Sequence, residues 1–427
     1  MRNLNIWIEM DGKNIRVGEI VGNDYLDACF VYDREYCSNP DHRPISLSLP
    51  FGSDKFSATQ TRNFFEGLLP EGFTRRCICE QMRVDERDYL SVLAGLGKEC
   101  LGAIKVTEEG DTDIVAEYRK LAKEDVANLA KEGAGESVQL VTKSHLSLTG
   151  ASGKVGLYYD KSTNEWFQPI GDAPSTHIVK QSHIRLKKIV TNEQLCLLTA
   201  KKLGIDVPES FIINTGVADD EDVLFATQRY DRVFYKGNKC ISGKQIPYRL
   251  HQEDFAQALG IASYEKYEKP NQNYLKRMFE ILRNFSANPI QDQLKLWNVC
   301  IFNYLIGNTD NHIKNTSLLY SSDLKTLRLA PAYDIVSTVV YESSTEEMGM
   351  SINGIYNIHK ITREDFEKEA KKIGLGKKPA MTAFDQMATA FIPALESVRD
   401  ELMKQGFYQA SDICEVIIRN GGIRQYL

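Results

Sequence analysis

Long apolar runs, an excess of charge of one sign and metal-spaced cysteines are all missing from this 427-residue sequence. No apolar stretch approaches the ~20 residues of a membrane-spanning helix, so we expect no membrane contact. The 52 basic residues are balanced by 58 acidic ones, which argues against nucleic acid as the main direct partner. The N-terminus lacks the unbroken apolar core of a signal peptide, and we therefore expect a cytoplasmic protein.

Cysteine occurs without the pattern of a zinc site. The nine cysteines are scattered through apolar segments, as is usual for reduced thiols that pack as small hydrophobic residues. Cys77 and Cys79 form the one close pair, and no second pair stands at zinc spacing from it. The length suffices for two or three domains with sizeable cores, and no internal repeat or low-complexity tract occurs.

The first 120 residues have the pattern of a small α+β module. Strands are predicted where apolar residues alternate, at 3–9, 27–33, 44–50 and 100–106. Helical spacing begins at Thr61 and is broken at Pro70. Residues 107–143 are acidic and alanine-rich, which predicts a linker with one or two surface helices. No pair of titratable residues suited to catalysis occurs in the module over residues 1–120.

The next region, residues 121–235, has the element order of a kinase small lobe. A strand at 145–149 leads into the glycine-rich turn GASGK and a second strand, followed by a β-branched strand that ends at Lys180. A helix is predicted at 191–205, with Thr191 as its N-cap. Two further strands are predicted in this region, at 210–214 and 223–233. The third region, 236–427, is predicted to be mainly helical, with helices that include 363–373, 381–404 and 410–420.

Three polar residues of the third region have the spacing of a phosphoryl-transfer site. Asp310 precedes Asn315 by five positions, as a kinase catalytic base precedes its metal-binding asparagine, and Asp334 follows in LAPAYD. In this interpretation Asp310 accepts the substrate proton, while Asn315 and Asp334 bind Mg²⁺. The alternative is that the Asn and Asp side chains before Asn315 only cap a helix end.

The glycine-rich turn is not a Walker A loop, because two residues rather than four separate its glycines and Val155 follows the lysine. Its backbone amides could instead bind the phosphates of ATP, as in kinases. The alternative is an ordinary hairpin turn. Lys180 is a candidate phosphate-binding lysine with Glu193 as its counter-ion, although Glu193 could instead be stabilised by the helix dipole. The candidate nucleotide-binding residues of this segment are Thr149, Gly150, Ala151, Ser152, Gly153, Lys154 and Lys180.

Further candidates for nucleotide contact flank the strands and the catalytic loop. Gln228, Arg229 and Tyr230 stand where a kinase hinge offers backbone groups to adenine; alternatively, Asp231 and Arg232 form a structural ion pair there. The remaining candidates are His312 and Lys314, which could neutralise a transferring phosphate or be structural, and Tyr333 beside the metal-binding position.

Nine segments together resemble the HipA family of bacterial serine/threonine-kinase toxins: SLSLP, FFEGLLPEG, GASGKVGLY, STHIVK, NEQLCLLTAKKLGI, QRYDR, RLHQEDFAQALG, NTDNHIKN and LAPAYDIVST. The resemblance implies an α+β, two-lobed protein-kinase-like (phosphoinositide-kinase-like) fold that uses ATP and Mg²⁺. It also implies an aminoacyl-tRNA synthetase as substrate, best known for the glutamyl enzyme. A HipB-like antitoxin is the implied partner, through which DNA would be contacted only indirectly.

The resemblance further implies autophosphorylation at Ser147, with Ser144, Thr149 and Ser152 as rival acceptors. The sequence departs from the family pattern in its loop, where Ser152 and Gly153 precede the lysine, and in Gln228, where glutamate is common. Asp334 is followed by Ile-Val rather than Phe-Gly, as the family generally has it. Two other functions stay open: a small-molecule phosphotransferase, and an idle scaffold that binds antitoxin and operator DNA.

Overall fold

The computed structural model describes residues 3–108, 110, 116–132, 153–182, 186–235, 237 and 239–426. Ser144, Ser147 and residues 149–152 lie outside the described residues, as does the strand predicted at 145–149. The chain divides into two compact units. Unit 1 comprises Met1–His183, Ile213–Ser263 and Leu318–Leu327, and unit 2 comprises Ile184–Ile212, Tyr264–Ser317 and Arg328–Leu427.

The described chain contains runs of strands and runs of helices. The strands are β1 (Leu4–Met10), β2 (Lys13–Val21), β3 (Cys29–Tyr32), β4 (Ile104–Glu108), β5 (Ala116–Lys120), β6 (Lys154–Asp160), β7 (Glu165–Gly171), β8 (His177–Gln181), β9 (Ser210–Asn214), β10 (Val223–Gln228), β11 (Arg232–Val233), β12 (Cys240–Ile241), β13 (Lys244–Gln245), β14 (Tyr248–Arg249), β15 (Gln252–Asp254), β16 (Ser317–Tyr320), β17 (Leu327–Leu329), β18 (Glu347–Ile352) and β19 (Ile355–Asn357). The helices are α1 (Arg34–Ser38), α2 (Ala58–Phe65), α3 (Gly72–Met82), α4 (Tyr89–Leu96), α5 (Lys123–Glu132), α6 (Ile189–Lys202), α7 (Phe255–Leu259), α8 (Tyr274–Phe285), α9 (Pro289–Ile306), α10 (Arg363–Lys372), α11 (Lys377–Lys404) and α12 (Gln409–Asn420).

Unit 1 is built on two antiparallel sheets. One has the strand order β3-β2-β1-β4, and the other contains the run β5-β7-β6-β8-β10. Strand β5 was not predicted, because its sequence lies in the acidic stretch interpreted as a linker. Its Tyr118 ring is buried against Tyr158, with ring centroids 4.5 Å apart, so this aromatic contact fixes β5 to the sheet.

The prediction of a strand at 44–50 is wrong. The segment forms turns, because its backbone groups pair with side chains rather than with a neighbouring strand. The Ile45 amide donates to the Tyr32 hydroxyl at 3.0 Å, and the Ile45 carbonyl accepts from the His251 ring at 2.7 Å. Alternating apolar residues here fill a core without forming a ladder.

Unit 2 is mainly helical, with α9 at its centre. Proline at the first position of α9 suits a helix start, and α9 packs against α8 and α11. The Trp297 indole donates to the Ala380 carbonyl at 3.0 Å and its ring lies edge-on to Phe366. Helix α6 begins at Ile189 rather than at the predicted cap Thr191, which is buried within the helix.

The two compact units group the chain differently from the predicted domains 1–120, 121–235 and 236–427. Residues 236–263 belong to unit 1, whereas α6, which was predicted in the small lobe, belongs to unit 2. The threefold division into domains therefore stays a prediction.

Candidate functional site

The loop that carries Asp310 begins where α9 ends. Gly307 takes a left-handed conformation with φ of 73°, which stops the helix and turns the chain. The Asn308 side chain accepts a hydrogen bond from the Asp310 amide at 3.1 Å and donates to Asn303 at 2.7 Å. Asn308 thus shapes the turn, as in the capping alternative, while the Asp310 side chain is exposed.

Asn315 is joined to Asp310 through the same loop. Its side-chain amide donates to the Asp310 carbonyl at 3.0 Å, and the His312 amide donates to that carbonyl at 2.9 Å. Because the amide nitrogen of Asn315 is used inside the loop, its Oδ1 points away from that contact. The structure therefore brings Asp310 and Asn315 together. The Asn315 Oδ1 atom is left as a hydrogen-bond acceptor.

Asp334 follows a residue that contacts the catalytic loop. The Tyr333 hydroxyl donates to the Lys314 carbonyl at 2.9 Å and makes a second hydrogen bond, 2.6 Å long, with Ser317. Tyr333, which directly precedes Asp334, is thus hydrogen-bonded to Lys314, which directly precedes Asn315. The φ of Asp334, 57°, is uncommon for a residue with a Cβ, and such conformations are concentrated at functional sites.

The segment after Asp334 is fastened to the start of the catalytic loop. Thr338 accepts from the Thr309 amide at 2.8 Å, and its own amide donates to the Gly307 carbonyl at 3.0 Å. The Ser337 hydroxyl donates to the Ile306 carbonyl at 2.6 Å. Hydrogen bonds on both sides of Asp334 thus hold the two loops together.

Asn192 on α6 is a positioning residue that the sequence reasoning missed. Its side chain is fully buried and exchanges two hydrogen bonds with the backbone of Ser337, at 2.9 and 3.1 Å. The sequence offered no local signal, because the adjacent residues Thr191, Glu193 and Gln194 are polar as well. The partner of Asn192 is 145 residues away in the sequence, so spacing could not reveal the contact.

His312 and Lys314 are both buried, with 5% and 7% of their surface exposed. The His312 ring lies edge-on to the ring of Tyr267, with centroids 5.1 Å apart. The proposed contacts of His312, Lys314 and Tyr333 with nucleotide stay predictions.

The predicted metal ligands Asn315 and Asp334 offer oxygen atoms of the kind that Mg²⁺ prefers, and their binding of this ion stays a prediction. Within the described ranges no group of three or more His, Cys, Asp or Glu side chains could hold a metal. A carboxylate at Asp334 and an amide oxygen at Asn315 make a smaller set. Mg²⁺ suits such a set, because it keeps several waters and also binds substrate phosphates.

In unit 1 the two candidate phosphate-binding lysines are brought together. Lys154 on β6 stands directly opposite Lys180 on the adjacent antiparallel strand β8, so both side chains project from one face of the sheet. The Lys180 ammonium also lies 5.6 Å from the ring centroid of Phe225. Like charges in such a pair are unfavourable unless an anion compensates them. Gly153 precedes this pair directly.

The predicted hinge follows β10. The Arg229 amide already donates to the Thr176 carbonyl at 2.9 Å, and the Tyr230 hydroxyl donates to Gln252. Gln228 is half-buried at the end of the strand. Backbone contact with adenine stays a prediction, but the Arg229 amide is not available for it in this structure.

The side chains next to the hinge form a buried ionic cluster. Arg229, Arg232 and Arg249 each place a guanidinium nitrogen 2.8–3.2 Å from the carboxylate of Glu99. Asp231 pairs with Arg232 at 3.1 Å, which confirms the alternative of a structural ion pair. Burial alone would raise the pKa of Glu99, but the three guanidinium groups, Arg232 foremost, hold it well below its usual range.

Family profiles match both parts of the chain. The profile described as HipA N-terminal domain matches residues 5–107, and the one described as HipA-like C-terminal domain matches residues 146–395. The chain belongs to the HipA family. It is 31% identical over 413 residues to a Sinorhizobium fredii protein described as a kinase, Y4mE, with 94% of this chain and 93% of the relative covered.

Another HipA-family relative is the serine/threonine-protein kinase toxin HipA of Shewanella oneidensis, 24% identical over 92% of this chain and 89% of that protein. The solved complex of Shewanella oneidensis HipA with HipB and operator DNA superposes with a TM-score of 0.76 at 22% identity, covering 96% and 97% of the two chains. This match confirms the predicted α+β, kinase-like fold. The chain is a kinase of the HipA family. Among the residues described here, no helix has the length and apolar character needed to cross a bilayer.

Proposed function

We propose that this chain is an ATP-dependent serine/threonine protein kinase that acts as the toxin of a toxin–antitoxin pair. The observation that supports this proposal best is the hydrogen-bonded pair of loops in unit 2. These loops carry an exposed carboxylate at Asp310, an oriented amide at Asn315 and a carboxylate at Asp334. A kinase needs a base and two oxygen ligands for a metal, and these residues supply them.

Each group has one role in the proposed reaction. Mg-ATP, when bound, supplies the γ-phosphoryl group and the metal charge that offsets the phosphates. Asn315 and Asp334 would hold the metal through oxygen. Lys154 and Lys180 would bind phosphate oxygens. Asp310 accepts the proton of the substrate hydroxyl as that oxygen bonds to the γ-phosphorus, while the bond from this phosphorus to the β,γ-bridging oxygen breaks and ADP leaves.

The proposed partners follow from relatives. One relative is named as a serine/threonine-protein kinase toxin, and the solved complex contains HipB and operator DNA. For this chain we propose a HipB-like antitoxin, indirect contact with DNA through that antitoxin, and an aminoacyl-tRNA synthetase as substrate. We also propose autophosphorylation at Ser147, on the basis of the family resemblance. Ser147 lies outside the described residues.

The test is labelling of a cell lysate with purified protein and γ-labelled ATP. Wild type should label a discrete protein, and Asp310→Asn should lower that labelling by ~10²–10⁴-fold, the usual effect of losing a positioned base. Asp385→Asn is the matched control, because Asp385 is exposed on α11 and pairs with Arg363. Equal labelling by a folded Asp310→Asn protein would reject the assigned base.

Phosphate mapping by mass spectrometry tests the self-modification. After incubation with Mg-ATP, phosphate should be found on Ser147 in wild type and be absent in Asp310→Asn. Phosphate confined to Ser152 or Thr149 would exclude Ser147 as the acceptor.

A further inference from the structure

A tyrosine hydroxyl contacts the candidate base. The Tyr267 hydroxyl donates a hydrogen bond of 2.5 Å to Oδ1 of Asp310, and both residues belong to unit 2. Tyr267 is 46% exposed, and its ring rests edge-on against His312. No sequence spacing linked residue 267 to the catalytic loop, and the proposed reaction gives this tyrosine no role.

The backbone that carries Tyr267 is firmly held. The adjacent Glu268 accepts from both the amide and the hydroxyl of Ser351, each at 2.7 Å, and its amide donates to the Gly349 carbonyl at 2.9 Å. Gly349 lies on β18 and touches the catalytic loop so closely that a Cβ there would stand 2.7 Å from the Asn311 carbonyl oxygen. One strand therefore supports both the tyrosine segment and the base loop.

A second contact fixes the other side of this segment. The buried Tyr274 donates its hydroxyl to the Glu265 carbonyl at 2.9 Å, and its amide donates to the Glu268 carboxylate at 2.7 Å. With the backbone fixed at Glu268 and Glu265, the half-exposed Tyr267 side chain can change rotamer without displacing the segment. Rotation of a surface side chain is fast compared with catalysis.

We propose that Tyr267 is a specificity-determining residue whose hydroxyl occupies the position of the phosphoacceptor hydroxyl at Asp310. A base of this kind binds its substrate by accepting a hydrogen bond from the acceptor O–H, and Tyr267 already makes that contact. An acceptor must therefore displace the tyrosine. Water and weakly held hydroxyl compounds are disfavoured, whereas a protein segment with additional contacts can compete. This inference rests on the proposed role of Asp310.

Tyr267→Phe isolates the hydroxyl, because the ring that packs on His312 remains. The matched control is Tyr264→Phe, which makes the same change on a neighbouring tyrosine that is 79% exposed. Two reactions are measured: hydrolysis of Mg-ATP without a protein acceptor, and phosphorylation of dephosphorylated casein as a generic serine/threonine acceptor. Thermal stabilisation by Mg-ATP shows in each variant whether the nucleotide site is intact.

We expect Tyr267→Phe to hydrolyse ATP about tenfold faster than wild type, the effect of losing one hydrogen bond to a charged group. The KM for casein should fall by a similar factor with kcat nearly unchanged, and Tyr264→Phe should match wild type. Rates equal to or below wild type in both reactions would overturn the inference, because the hydroxyl would then not compete or would assist the base. Both activities should vanish in Asp310→Asn. Activity that survives that change would instead refute the proposed function, and with it this inference.

Discussion

Glu99 and Glu253 are two carboxylates of unit 1 that are equally buried, each 1% exposed, but differ in the charge around them. Glu99 contacts three guanidinium groups, those of Arg229, Arg232 and Arg249. Glu253 instead accepts hydrogen bonds from two hydroxyls and a backbone amide, supplied by Ser46, Tyr320 and Leu47.

The two sites therefore titrate in opposite directions. The guanidinium groups outweigh burial at Glu99 and hold its pKa well below the usual range, whereas burial raises the pKa of Glu253 to about 7. Neutral donors only partly offset the loss of water around Glu253. Burial alone thus does not decide whether a carboxyl group is charged; the presence of formal positive charge does.

The largest effect is expected for Glu99→Gln. Three buried guanidinium groups would lose a shared carboxylate, and breaking a buried ionic contact commonly costs about 3–5 kcal/mol. Urea unfolding at pH 7 should show this decrease in the free energy of unfolding, with the exposed Glu117→Gln as control. A loss below about 1 kcal/mol would mean that the arginines do not depend on Glu99.

The next largest effect is expected in the pH dependence of the unfolding free energy, which should differ between Glu253 and Glu99. The pKa of Glu253 is higher in the folded than in the unfolded chain, so its contribution to stability is full below the unfolded pKa of 4.5. That contribution is lost as pH rises from 4.5 to about 7, by roughly 3 kcal/mol. Glu99 has the opposite sign, because its contribution is lost only as pH falls below 4.5. The measurement is the difference in unfolding free energy between wild type and Glu253→Gln from pH 4 to pH 8; a flat difference would contradict the raised pKa.

At pH 5 the substitution Glu253→Gln should cost little, about 1 kcal/mol. A protonated glutamate and a glutamine both offer one oxygen acceptor and one donor, so the amide can keep the contacts with Tyr320 and Ser46. Urea unfolding at that pH checks this. A loss as large as that of Glu99→Gln would show that Glu253 is charged in the folded protein and would end the contrast.

The smallest effect is expected for an ion pair of the same kind at the surface. Lys325 lies 2.7 Å from Asp41, but both side chains are exposed, so water and salt screen their attraction. Lys325→Ala should leave the urea midpoint within experimental error. A loss comparable to that of Glu99→Gln would show that the charge pair matters independently of burial.

Local patterns predicted much of this molecule from sequence. Asp310 and Asn315 lie five residues apart in one loop, and their spacing alone indicated a joint role that their hydrogen bond supports. Helices α10, α11 and α12 lie where apolar periodicity predicted helices, at 363–373, 381–404 and 410–420. The family resemblance was confirmed by profiles that match both parts of the chain.

Contacts between distant segments could not be predicted. The strand predicted at 44–50 fails because its backbone partners, Tyr32 and His251, lie elsewhere in the chain. Tyr267 and Asn192 reach their partners across 43 and 145 residues, so no local spacing marks them. Such residues act through the tertiary fold, and periodicity reports only on neighbours.

Gly349 also has a genetic consequence. Its strand contains none of the predicted catalytic residues, yet any side chain at 349 would press on the backbone of the loop that carries the base. If expression of the protein stops growth, as the proposed function requires, survivors of a mutagenised pool need only lose the enzyme. Substitutions at Gly349 should then recur among the survivors, together with those at Asp310. Some of the inactivating mutations would therefore lie in the β18–β19 hairpin, which contains none of the predicted catalytic residues.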